Sequence, residues 1–343
     1  LFTQVTGDNR IPTEQRLGAA REAAVTAQAA GRPEVARRMY RYLIEQAETP
    51  DQRLEGNYLF GEYSFREKNF RQAANLLKTV ADSGSNRADA ARYRLLQSLV
   101  ELKRYKEAEP VAEALRRSPV QTHATSADFY RALLLEKAGH SAEARSEYLK
   151  FLVAHPDSEY SPRALFSAAE LAMELREYPA AVREFFEFAE KNPKSDSAPA
   201  ALYQAMQSGY FARNAAETRR AIELLEKKYP ESPVVIESRL QLADYLIRDA
   251  DYDGALAQLA EVEKYPAAKS PETASELLYD HARIARLQRQ DEDALKFLEQ
   301  LLKEHPSNAF GAEAALSAGN LKADQGNYRE ALKFYERALT LGP

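Results

Sequence analysis

Asp249, Asp251, Asp253 and Gly254 have the spacing that opens a calcium-binding loop, with Leu256 at its apolar position. The bidentate acid that closes such a loop would be residue 260, which is alanine; Glu261 comes one residue late. The five histidines, His123, His140, His155, His281 and His305, show no HExxH or other zinc-ligand spacing. His155 and His305 fall in equivalent His-Pro pairs, which repetition explains better than catalysis. There is no G-x-S-x-G elbow, P-loop or dinucleotide fingerprint. The absence of cysteine removes thiolate nucleophiles, Cys-ligated zinc and disulfides. Acidic pairs such as Glu292 and Asp293 lie on polar helix faces, where nothing would shift a pKa toward catalysis. These residues point to no catalytic group, no metal site and no cofactor.

The chemistry left is that of contact, and a repeat sets its positions. Counting backward from Ala331, equivalent anchors are Ala294, Ala255, Thr218, Ala181, Ala144, Ala108, Ala73 and Ala36, spaced by 35 to 39 residues. Twelve residues before them lie Ala24, Gly61, Leu96, Ala132, Ala169, Met206, Ala243, Ala282 and Gly319, mostly small. Four residues after the anchors comes a large apolar group in eight of nine repeats, for example Leu77, Tyr148, Phe185 and Tyr335. The i, i+4 spacing places anchor and large group on one face of a helix. Each repeat therefore reads as a helical hairpin with small residue set against small residue. Gly31, Gly139 and Gly326 suit the turn between its helices. Pro156, Pro193, Pro230, Pro306 and Pro343 close five repeats, and Ser161-Pro162, Ser232-Pro233 and Ser270-Pro271 suit an N-cap serine followed by proline. The same register makes Tyr252 and Asp253 the start of a helix, so the aspartates before Ala255 read as turn and N-cap groups.

The expected architecture is all-α: an α-solenoid of about nine hairpins over residues 17–343, behind a lead-in of residues 1–16. With 45% hydrophobic and 29% charged residues, the 343-residue chain has a foldable composition. A net charge of -5 argues against nucleic-acid binding by phosphate neutralisation. Residues 1–120 hold 20 basic against 16 acidic groups, and the remainder 27 against 36, a polarity that fits either partner orientation or uneven surface drift. No apolar run is long enough to span a membrane. The chain begins at Leu1, without a signal-peptide pattern, as a mature or trimmed fragment would.

The last repeat, AEAALSAGNLKADQGNYREALKFYERALTLGP, resembles a tetratricopeptide repeat. Gly319, Tyr328, Ala331, Tyr335, Ala338 and Pro343 match the family's Gly, Tyr, Ala, aromatic, Ala and Pro, whereas Ala315 stands where the family has tryptophan. The resemblance implies a right-handed superhelix whose first helices line a concave groove. Pro-x-Ser joints such as AHPDSEYSPRALF, with a period near 37, are similar to Gram-negative envelope proteins of the YbgF and BamD type. That likeness implies a bacterial periplasmic or outer-membrane-associated location, with the cytoplasm as the alternative.

With the anchor as position 20 of each repeat, position 5 reads Arg21, Tyr58, Tyr93, Phe129, Phe166, Tyr203, Leu240, Tyr279 and Leu316. Position 9 includes Glu62, Gln97, Glu170, Gln207 and Asp244. The rings either line a peptide-binding groove beside hydrogen-bonding groups or brace the next repeat as core. No repeat pairs Lys at position 5 with Asn at position 9, so the family's clamp for a chaperone C-terminus is not expected. The leading expectation is a non-catalytic scaffold for a protein partner in an envelope assembly. A polysaccharide-handling scaffold and the regulatory arm of a larger enzyme are the alternatives. The last second helix lacks a covering helix, so the natural protein is expected to continue, or this open end to pair with another copy.

Overall fold

The computed structural model describes residues 10–341. The first nine residues of the expected lead-in and the closing Pro343 lie outside them. Eighteen α-helices follow one another, with no strand among the described residues. Contacts divide the chain into two compact bodies, Leu1–Glu184 and Phe185–Pro343.

The N-terminal body holds the helices α1 (Thr13–Ala29), α2 (Pro33–Glu45), α3 (Pro50–Arg66), α4 (Phe70–Ala81), α5 (Ala88–Glu101), α6 (Tyr105–Leu115), α7 (Gln121–Lys137), α8 (Ser141–Ala154) and α9 (Ser161–Glu174). The division falls within α10 (Tyr178–Lys191). The C-terminal body holds α11 (Ala198–Phe211), α12 (Ala215–Lys228), α13 (Val234–Arg248), α14 (Tyr252–Val262), α15 (Pro271–Leu287), α16 (Asp291–Glu304), α17 (Gly311–Asp324) and α18 (Tyr328–Leu341). Consecutive helices pack as hairpins, α1 with α2 through α7 with α8 in the first body and α11 with α12 through α17 with α18 in the second. A 3-10 turn, Pro266–Lys269, lies in the longest joint.

All nine anchors are buried, Thr218 at 5% exposure and Ala331 at 2% being the least so. Their partners are not the small residues twelve places earlier. A Cβ on Gly319 would lie 2.5 Å from the Tyr335 ring, and one on Gly61 2.6 Å from Leu77, so the earlier small residue faces the large group four residues after the anchor. A Cβ on Gly209 would lie 2.9 Å from the backbone nitrogen of Thr218, so the anchor faces position 11. In an antiparallel pair a step forward on one helix is a step back on the other, and the pairing expected from the spacing is therefore one turn out. Thr218, the irregular anchor, is accommodated because Gly209 opposite it has no side chain.

Helix entry is set by local chemistry. Thr49 and Gln52 form a reciprocal capping box at α3, and Asn69, Asn214, Asp251 and Ser270 each accept from the backbone N–H three residues on. Asp251 is thus the cap of α14. Ser270-Pro271 caps as expected, but the other two serines do not. Ser161 is already inside α9 and donates to the His155 carbonyl, whereas Ser232 accepts from Val234 N before the helix begins. The lead-in is also shorter than expected, because Pro12 starts α1 at Thr13.

The turn between the two helices of each repeat places the residue five before the anchor at positive φ, nine times over. Three of these residues are glycines, Gly31, Gly139 and Gly326; six are Lys68, Lys103, Arg176, Arg213, Ala250 and Arg289, at φ 55 to 64°. A side chain there is strained by its Cβ. Lys103→Gly and Arg289→Gly are each expected to stabilise the protein by about 0.5 to 1 kcal/mol, read as a higher urea midpoint.

Candidate interaction surface on the first helices

Positions 5 and 9 lie one turn apart on each first helix, so they share a face. The ring at position 5 is in most cases covered by one residue from the following repeat. The Arg87 guanidinium sits 4.8 Å above the Tyr58 ring. His123 stacks on Tyr93 at 5.3 Å, Tyr160 on Phe129 at 4.7 Å and Phe310 on Tyr279 at 5.0 Å. Each covering residue stands six places before position 5 of its own repeat, at the entry to a first helix. The rings therefore brace neighbouring repeats, and several also keep an edge toward solvent.

Phe129 does not belong to an open groove. It is fully buried, boxed by Tyr130, Tyr148, Phe151 and Tyr160 at ring distances of 4.7 to 5.8 Å. Tyr279, 9% exposed beneath Phe310, is close to the same condition. Tyr58, Tyr93, Phe166 and Tyr203 are half-buried and keep part of their surface open. The Tyr93 hydroxyl lies 2.8 Å from that of Tyr160, which reaches back over two repeats. Burial and this hydrogen bond push the Tyr93 pKa well above the usual phenol range. Burial, with Glu237 nearby, pushes Tyr203 up to about 12. Both phenols therefore remain neutral donors and acceptors at physiological pH.

The polar row is partly spoken for. Arg94 donates to Glu62 at 3.0 Å and to Gln97 at 2.9 Å, and lies over Phe65. Gln207 donates to the Tyr245 hydroxyl at 3.2 Å. Tyr245 in turn stacks on Tyr210 at 4.4 Å. Asp244 accepts from Arg283 at 3.1 Å and pairs with Arg248 at 2.6 Å. Glu170 is exposed, although partial desolvation and the charge of Glu136 raise its pKa. Glu62, Gln97, Gln207 and Asp244 are half-buried.

The pattern at positions 5 and 9 misses the covering residues Arg87, His123, Tyr160 and Phe310, and Arg94, which donates to two of the position-9 groups. Their signal in the sequence is partial: six places before position 5 stands a ring or a cation in four of the nine repeats, and Gln15, Gln52, Ser197, Val234 and Thr273 in the others. Asp249, read above as a turn group, also ties two repeats together, accepting from Tyr210 at 2.7 Å and Arg213 at 2.5 Å.

Carboxylates gather on the first helices of the C-terminal body. Glu276 is half-buried, and its pKa is raised by burial first and then by Asp280, Asp244 and Glu237. A carboxyl with a raised folded-state value stabilises the fold below its unfolded value and loses that contribution as pH rises through the folded one. Glu276→Gln is therefore expected to match the wild type in acid and to be the more stable variant from just above the ordinary glutamate range upward. Urea melts at pH 4 and pH 7 measure the gap.

A cleft of about 610 Å³ in the C-terminal body is lined by Thr218 and Ile222 of α12, Arg239 and Leu242 of α13, and Gly254 and Gln258 of α14. Its Arg239 is engaged by Glu226 and Gln258, each at 2.7 Å. No cluster of acids and histidines able to hold a metal occurs among the described residues. None of the described helices is long and apolar enough to cross a membrane.

Residues 187–343 match the tetratricopeptide repeat-like domain family, and residues 129–199 a tetratricopeptide repeat family. Residues 35–115 match the family of anaphase-promoting complex, cyclosome, subunit 3. The C-terminal part of a TPR repeat-containing protein from Cytophaga hutchinsonii is similar, with a TM-score of 0.58 at 15% identity, covering 75% of this chain and 98% of that one. A tetratricopeptide repeat protein from Parabacteroides merdae gives a TM-score of 0.47 at 17% identity, covering 83% and 98%. No curated protein matches the chain. At these identities the likeness is one of fold.

Proposed function

Because the chain is a tetratricopeptide-repeat protein, we propose that it is a non-catalytic scaffold that holds a segment of a partner protein on its first-helix faces. The observation that carries this reading is that the half-exposed rings Tyr58 and Tyr93 are already held by Arg87 and His123. A ring fixed before binding has little rotamer freedom left to lose, so its open edge contributes contact at low entropic cost. Glu170, Gln97 and Gln207 supply acceptors and donors for a peptide backbone beside the rings. Repeats of this family are typically non-catalytic. The Pro-x-Ser joints support placing this scaffold in a bacterial envelope assembly, which fractionation of the native protein would test.

Peptide and glycan arrays separate a protein partner from a polysaccharide. A peptide retained by the folded chain should cross-link from a photoreactive residue at Gln97 or Glu170, and not from one at Lys150 on the second helix α8. Retention of glycans alone, or cross-linking from Lys150 alone, rejects the reading.

A further inference from the structure

We propose that the edge formed by the α3–α4 and α5–α6 turns, with the cleft beside it, is a second docking surface and takes an acidic segment of a partner protein. The two turns are neighbours, because α4 packs on α5. Residues 66–72 and 101–107 hold six basic groups against three acidic ones, whereas the equivalent turns 248–254 and 287–293 hold two against six. Lys68, Arg71, Lys103 and Lys106 are exposed and have no ion pair among the described residues. Arg66 faces Glu62 at 3.9 Å, Arg104 pairs with Glu107 at 2.6 Å, and Glu67 lies 3.9 Å from Arg37. Glu101 is the one acid of these turns left without a cation, so the edge keeps a surplus of positive charge.

Two of the four free cations strain the backbone. Lys68 and Lys103 both stand at φ 57°, where Gly31, Gly139 and Gly326 serve in other repeats. Lysine destabilises these turns and glycine would not, so its presence points to a use outside the fold.

A cleft of about 380 Å³ opens beside the edge. Leu95 and Leu99 of α5 line it together with Ala74 of α4 and Pro110 and Val111 of α6, and Lys106, in the first turn of α6, lies at the end nearest the turns. The other cations of the cleft, Lys78, Arg92 and Arg104, are paired with Asp82, Asp89 and Glu107. Leu95 and Leu99 are two residues on from Tyr93 and Gln97, about 200° around the helix, so this cleft lies on the opposite side of α5 from the ring-bearing face.

Pro110 favours a peptide over other anions. It has no N–H, so the Lys106 carbonyl lacks its usual i+4 donor, on the side of α6 that lines the cleft. That oxygen can accept from a peptide N–H, whereas a phosphodiester has no donor to offer it. A segment with acidic residues on the edge and apolar side chains over Leu95 and Leu99 uses all three features at once.

The test pans a phage library of random dodecapeptides against the full chain. Enriched peptides should carry several Asp or Glu residues beside one or two apolar ones. Their dissociation constants, read by fluorescence anisotropy, should rise about tenfold between about 50 and 300 mM salt. Lys103→Gly with Lys106→Gln should weaken them by about fivefold to tenfold. The urea midpoint of that double variant should stay at or above the wild-type value, so lost binding is not lost folding. A photoreactive residue at Val111 should cross-link the peptide, and one at Gln97 should not. Enriched peptides without acidic residues overturn the proposal, as do acidic peptides that the double variant binds unchanged or that cross-link from Gln97 alone. It is equally overturned if no acidic peptide is enriched while phosphatidylglycerol vesicles bind the wild type and not the double variant, which would assign the edge to a lipid surface.

Discussion

Phe129→Ala is expected to cost the N-terminal body about 3 to 5 kcal/mol, the loss typical of removing a fully buried ring. The side chain is 0% exposed, so its removal leaves a cavity rather than a solvated gap. It also unstacks Tyr160, whose hydroxyl is bonded to Tyr93, so the damage extends across three repeats. Phe129→Leu should cost less than half as much because it refills most of the volume. Urea unfolding of the full chain followed by circular dichroism measures both. A loss below about 1 kcal/mol for the alanine variant would return Phe129 to the groove.

Arg145→Met is expected to destabilise the same body by about 3 kcal/mol. Arg145 of α8 donates to Glu184 of α10 at 2.6 Å, with the two side chains only 11% and 12% exposed. The nearby Glu177, 3.4 Å from the guanidinium Nε, is half exposed and compensates little. Removing the cation takes the 2.6 Å donor away from a carboxylate only 12% exposed, which is worse than having no charges at all. Arg145→Met combined with Glu184→Met should therefore recover most of the loss. A double mutant as unstable as the single one would show that the arginine acts through packing of its alkyl stem instead.

Much of the fold is legible in the sequence because its signal is periodic. An alanine that recurs every 35 to 39 residues, with a large group four places later, admits few structures besides stacked hairpins, and all nine anchors are buried. What one sequence conceals is how residues far apart in number face each other. The spacing sets Ala331 against Gly319, yet Gly319 meets Tyr335, because the turn length shifts an antiparallel pair by a whole helical turn. Ser161 has the pattern of a cap but sits one residue inside its helix, where Tyr160 takes the flanking place. The interaction surface is harder still. Phe129 and Tyr93 occupy equivalent positions and carry similar rings, and their covers help to distinguish them: a tyrosine that completes the burial of the first, and a histidine that leaves the second half open. That difference lies some thirty residues downstream of each ring.

The turn Pro266–Lys269 absorbs the extra residues of the longest repeat without disturbing the helices on either side, and Leu277 and Ala294 beyond it are buried as their equivalents are. An insertion inside a first helix would instead rotate its whole face by about 100° and part every ring from its cover at one stroke. Evolutionary lengthening of such a protein is thereby channelled into the joints, where lineages can diverge in length while the surface they present keeps its order.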